Sequence, residues 1–106
     1  MLYVSMVGGV IMDIFKGDTL LKTIESDENF SPGDKLEIKI YEDGNDNLYY
    51  KNEIIVSNET NSIDLEIKPS TTKLFPCKTI TMQIKLISIS GYVKTNMYQL
   101  RVKGCK

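Results

Sequence analysis

Apolar and polar residues alternate with a period of two in several stretches of this chain, and that alternation predicts strands with one buried face. The cleanest case is Lys35 to Tyr41, where Leu36, Ile38 and Ile40 fall on one face and Lys35, Glu37 and Lys39 on the other. Ile63, Leu65 and Ile67 alternate with Asp64, Glu66 and Lys68. Ile80, Met82, Ile84 and Leu86 alternate with Thr79, Thr81, Gln83 and Lys85, and Tyr98, Leu100 and Val102 with Gln99, Arg101 and Lys103. These last two runs are joined through Ser90-Gly91, a turn in which glycine takes positive φ without steric cost, so they read as a long antiparallel hairpin. Its apolar face must be buried against another layer. The expected core is Leu36, Ile38, Ile40, Leu65, Ile84, Leu86, Leu100 and Val102.

The remaining segments read less cleanly. Tyr3 to Met6 and Val10 to Phe15 are strand-compatible, interrupted by Gly8-Gly9, and Thr19 to Glu25 is apolar without clean alternation. Ser26 to Asn29 reads as an acidic loop. Phe30-Ser-Pro-Gly33 reads as a turn with Pro32 and Gly33 at type II positions. Glu42 to Asn47 and Asn58 to Asn61 are loops, with Leu48 to Ser57 a strand pair or one bent strand. No stretch of helical period reaches three turns, and one turn near Ser70–Lys73 is the expected helix. Seven or eight short strands at this turn spacing match an all-β sandwich.

In 106 residues this is one domain. Residues 12–106 are assigned to a single β-sandwich domain, and residues 1–11 to an N-terminal extension or an extra strand. The run Gly8-Gly9-Val10-Ile11-Met12 can be encoded by a purine-rich ribosome-binding sequence followed by a start codon, which makes Met12 a candidate natural start. The alternative is that Leu2 to Val7 supplies an additional strand to its own sheet or to a neighbour's edge. The stretch Met1 to Met12 is too short to span a bilayer and lacks a basic n-region and an A-x-A site, so neither a membrane anchor nor export is expected.

The 13 basic and 14 acidic residues give a net charge of −1, which argues against a broad footprint for nucleic acid or an anionic membrane. Histidine is absent, and with it the commonest neutral-pH general base and metal ligand. No nucleophile–base pairing is evident, so an enzyme, a small-molecule substrate and a cofactor are not expected. Asp43, Asn45 and Asn47 superficially resemble a calcium loop, but Leu48 and Ile54 stand where an EF-hand needs its glycine and closing glutamate. A polar hairpin loop is the expectation there. Glu25, Asp27, Glu28 and Asp34 could form a carboxylate cluster, with plain solvation the favoured reading. Cys77 and Cys105 fit no zinc or redox spacing. Two unpaired thiols are expected, a disulfide being possible if the last strand ends beside the Phe75–Lys78 turn.

The aromatic residues carry the remaining signal. Tyr41, Tyr49 and Tyr50 flank the Glu42–Leu48 loop, and with Tyr3 they are the candidate interface residues, because tyrosine offers a large area and few rotors. The competing reading is that they are strand formers, with at least one buried in the core.

The order SIDLEIK, then PSTTKLFP, a strand ending QIKL, then GYVKT and YQLRV resembles small immunoglobulin-like β-sandwich domains of phage virions, including the N-terminal domain of siphophage baseplate upper proteins. IFKGDTL and FSPGDKLEIKI are similar to the Gly-Asp strand openings of those domains, and the resemblance covers about Met12 to Gly104. Cys77 departs from the pattern, standing where these domains usually carry a glycine. The resemblance implies an immunoglobulin-like antiparallel β-sandwich of about seven to eight strands, made in the host cytoplasm and placed in the virion. Its partners would be other virion proteins or further copies of itself, met through strand edges. The rival reading is a bacterial cell-surface carbohydrate-binding or adhesin-type domain.

Overall fold

The computed structural model describes residues 2–5, 11–42, 44 and 47–104, with backbone alone for 2–5 and 11. Among these residues the chain is all-β apart from one helical turn: β1 (Leu2–Ser5), β2 (Ile11–Phe15), β3 (Leu20–Phe30), β4 (Lys35–Tyr41), β5 (Leu48–Ile55), β6 (Thr60–Ile67), α1 (Pro69–Thr72), β7 (Thr79–Ile87) and β8 (Val93–Lys103). They form two sheets, one in the order β1-β3-β6 and the other β2-β8-β7-β4-β5. The pairing is antiparallel except for β2, which runs parallel to β8.

Period-two alternation dictates the layering, because successive side chains of a strand point to opposite faces. Leu36, Ile38 and Ile40 of β4 stand in register with Leu86, Ile84 and Met82 of β7, and Ile80 of β7 with Leu100 of β8. These side chains are buried and join Leu20, Ile24, Phe30, Leu65 and Ile67 of the smaller sheet in one apolar cluster. All eight residues named from the sequence as core are buried, while Lys39 is half-buried and Glu66 exposed, so the register is the expected one.

The turns obey their residues. At Ser31–Asp34 the Asp34 N–H donates to the Ser31 carbonyl (3.0 Å) and Gly33 has φ of 95°, the backbone that Pro-Gly requires in a type II turn. Gly91 likewise takes φ of 97° in the β7–β8 turn. Two expectations are corrected. Ser26 to Asn29 is not a loop, because β3 continues to Phe30 across a register shift between Glu25 and Phe30. The shift lets the strand pass its acidic residues outward and still bury Phe30. Second, Cys77 is disulfide-bonded rather than an unpaired thiol. The sequence holds one other cysteine, Cys105, which lies outside the described residues. The Val102 N–H donates to the Lys78 carbonyl (3.3 Å), so the end of β8 runs beside the residue next to Cys77.

Buried polar groups lock the turns to one another. The carboxylate of buried Asp34 accepts from the Ser31 N–H (2.9 Å) and from the Ile89 N–H (3.0 Å), tying the β3–β4 turn to the β7–β8 turn. The buried Thr72 hydroxyl donates to the Asp18 carbonyl (2.7 Å) and accepts from the Gly17 N–H (3.2 Å), tying α1 to the β2–β3 turn.

Two substitutions test this account. Ile84→Ala should lower the unfolding free energy by about 2–5 kcal/mol in chemical denaturation, through lost transfer energy and the cavity left behind. Asp34→Asn preserves size but turns one acceptor into a donor, so one of the two backbone N–H groups loses its partner. A loss of about 1–3 kcal/mol is expected in the same assay, and an unchanged midpoint would contradict the role given to Asp34.

Candidate functional site

The β4–β5 hairpin brings three of the four candidate tyrosines to one end of the larger sheet. Register runs Ile40 to Tyr50 and then slips, pairing Tyr41 with Leu48, so Tyr49 is the extra residue of a bulge. The Tyr49 ring meets Phe75 edge-on, with centroids 6.2 Å apart and planes at 65°, and Phe75 is fully buried. Tyr49 and Tyr50 are half-buried against the core, and Tyr41 is half-buried at the end of β4. Tyr49 and Tyr50 thus pack on the core as the strand-former reading expects, while all three tyrosines keep part of their surface exposed. Tyr3 is not part of the group: it pairs with Glu25 in the smaller sheet, and its side chain lies outside the described residues.

The hairpin end is held by charge. Buried Glu42 forms an ion pair with Lys78, accepts from the Asn47 side-chain amide (3.3 Å), and its N–H donates to the Asn47 carbonyl (3.0 Å). The hydrogen bond to Glu42 raises the pKa of the Lys78 ammonium above its ordinary value. Asp43 and Asn45, the other members of the calcium-like pattern, lie outside the described residues. Among the described residues no group of three or more acidic or thiol side chains is placed to hold a metal ion. Asp34, one of the proposed carboxylate cluster, is committed to backbone donors, while Asp27 and Glu28 are exposed on β3.

Strand edges are the other resource. β5 has eight residues and pairs with β4 alone among the described strands, leaving one side of its backbone at the edge of the sheet. On the outer face of β4–β5, Lys51 stands directly opposite Lys39 and Glu53 directly opposite Glu37. Lys35 lies 3.6 Å from Glu37 and 3.9 Å from Glu53. At the end of this sheet away from Tyr41, Tyr49 and Tyr50, where Lys35 pairs with Ile55, the side chains of Ile55, Ile89, Tyr92 and Val93 are exposed, and the Lys94 ammonium lies 5.4 Å from the centre of the Tyr92 ring. The alternation of β5 and β8 could have flagged the strand residues among these. Their gathering at one end comes from the pairing of β5, β4, β7 and β8.

At the opposite edge, β2 is held to β8 by Asp13, whose carboxylate accepts from the Arg101 Nε (2.7 Å) and lies 3.4 Å from the Lys103 ammonium. The Arg101 hydrogen bond, followed by the nearby charges, lowers the Asp13 pKa.

No protein-family model matches the chain, and no curated protein sequence matches it.

The Asp13 pair gives a pH prediction. Because the folded pKa is depressed, its stabilisation is present above the unfolded value near 3.8 and is lost as pH falls through the lower folded value. Asp13→Asn should therefore melt below the parent protein at neutral pH. The difference should shrink below pH 3.8 in thermal unfolding followed by circular dichroism. A gap that persists unchanged in acid would assign the effect to something other than ionisation.

Proposed function

We propose that this chain is a non-enzymatic interaction module of immunoglobulin-like topology, a structural component of a phage or prophage virion that works through its strand edges. The observation that carries the reading is β5: an eight-residue edge strand with half-buried Tyr49 and Tyr50 toward one end and, at the other, exposed Ile55 beside the exposed Ile89, Tyr92 and Val93 of the β7–β8 turn. Edge backbone and exposed apolar surface are two means by which sandwich domains bind other proteins.

Strand order supports the topological part. In immunoglobulin lettering β1, β3 and β6 take the places of A, B and E, while β8, β7, β4 and β5 take those of G, F, C and C′. The chain moves to the second sheet at β2, which lies along β8. The place in a virion rests on the sequence resemblance of the strand-and-turn order from Met12 to Gly104.

Particles purified by density gradient from cells that encode this chain provide the test. Mass spectrometry should find its peptides at a fixed ratio to the capsid protein. Recovery from the cell envelope and not from particles would overturn the virion placement in favour of the adhesin reading.

A further inference from the structure

We infer that β5 binds β5 of a second copy of this chain, in one antiparallel register centred on Asn52, so that two five-stranded sheets become one continuous sheet. The inference rests on the interaction-module reading and names its partner.

Backbone polarity comes first. The Val56 N–H donates to the Asp34 carbonyl and its carbonyl accepts from the Gly33 N–H, so Val56 faces the β4 side. Alternation along the strand then turns the even-numbered residues of β5 toward β4 and leaves the N–H and C=O of Lys51 and Glu53 pointing out of the edge. The Glu53 N–H agrees, since it donates to the Asn52 side-chain carbonyl (2.9 Å) and not to β4. In an antiparallel pair about a two-fold axis through Asn52, Lys51 lies opposite Glu53 of the second copy and exchanges both backbone bonds with it. Asn52 then meets Asn52 of the second copy in a non-hydrogen-bonded pair, and its side chain releases the Glu53 N–H to the new ladder.

Side-chain chemistry selects the register. The stretch Tyr50-Lys-Asn-Glu-Ile54 is complementary to itself when reversed. Centred on Asn52, it sets Lys51 against Glu53 and Tyr50 against Ile54 on each side of the axis. Opposite charges, and aromatic rings beside β-branched residues, are the stabilising cross-strand pairs. Centring on Lys51 or on Glu53 instead opposes like charges. A lysine on an edge ordinarily blocks strand addition, and here the glutamate two residues on makes that block permissive for a single alignment.

The pairing also corrects an imbalance within one copy. Lys51 opposite Lys39 is a like-charge rung, unfavourable in an antiparallel pair, and Glu53 opposite Glu37 is a second one that Lys35 bridges at 3.9 and 3.6 Å. A second copy supplies the opposite charge on the free side of each. On the core side, Tyr50 and Ile54 are half-buried and Asn52 is exposed, so the partner strand covers surface that the smaller sheet does not reach. The edge at β6 lacks this property: it presents Asp64 and Glu66 and carries no basic residue, so no register of β6 with itself pairs opposite charges.

Sedimentation velocity on the full chain, over a concentration series, tests the inference. The parent protein should dimerise, and either Lys51→Glu or Glu53→Lys alone should shift the equilibrium toward monomer by ten-fold or more. The double charge swap, Lys51→Glu with Glu53→Lys, should restore the dimer. Asn52→Cys should form a disulfide-linked dimer under mild oxidation, because non-hydrogen-bonded pairs have Cα atoms about 4.5 Å apart, within disulfide reach. Asp64→Cys on the β6 edge should not. A parent chain still monomeric at about 1 mM, or a double swap as monomeric as the single variants, overturns the β5 pairing. The two readings fail separately. A monomer found in purified particles removes the pairing alone, and a dimer absent from particles removes the virion placement alone.

Discussion

Burial of the inner faces of β4 and β7 is the constraint on which the rest of the structure depends. Leu36, Ile38 and Ile40 are fully inaccessible, and so are Ile80, Met82 and Ile84 opposite or beside them. A shift of one residue in either strand would turn this entire set to solvent and bring Lys39 or Gln83 inward, so the register of the larger sheet is tightly specified. β8 continues the same layer through Leu100 and Val102, and the smaller sheet closes it with Ile24, Leu65 and Ile67. The outer strands β2 and β5 inherit their alignment from this centre.

A sandwich core fixes strands better than it fixes the turns between them, and here polar groups do the second task. Asp34 holds two backbone donors from separate turns, Thr72 holds a donor and an acceptor of the β2–β3 turn, and Glu42 joins the β4–β5 loop to Lys78. Each is a buried polar group given a partner, which is the condition for placing it there at acceptable cost. Gly33 is bound into the same arrangement: a Cβ at that position would lie 2.9 Å from Ile89 Cγ2, besides the strain of its positive φ. The β3–β4 and β7–β8 turns are therefore tied to each other, and the exposed Ile89, Tyr92 and Val93 belong to or adjoin the second of them.

The proposed interaction role rests on what this frame leaves open. β4, β7 and β8 are paired on both sides, while β5 has a neighbour on one side among the described strands. The outer-face charges of β5 oppose like charges on β4 and would oppose unlike charges on a reversed copy of β5. Edge geometry, charge order and half-covered apolar surface thus converge on one strand, and none of them requires a pocket or a titrating centre.

The sequence by itself determined the strands with strict alternation. Lys35–Tyr41 was legible to the residue, as were the Pro32-Gly33 turn and the apolar faces of β6, β7 and β8 apart from half-buried Ile63 and buried Thr81, because period two and turn chemistry are local properties. Of the candidate site it gave the tyrosines near the Glu42–Leu48 loop. Tertiary structure alone decided the rest. The acidic stretch of β3 stays in strand because Glu25 before it and Phe30 after it are both paired with β6, a long-range constraint that composition does not announce. Cys77 is bonded because the end of β8 returns beside Lys78. Tyr3 lies on a different sheet from Tyr41, Tyr49 and Tyr50, and β5 is an edge, because strand order is set by long-range pairing between segments far apart in the chain. Alternation states which face of a strand is buried; it is silent on which strand lies beside it, and on which side of a strand has none.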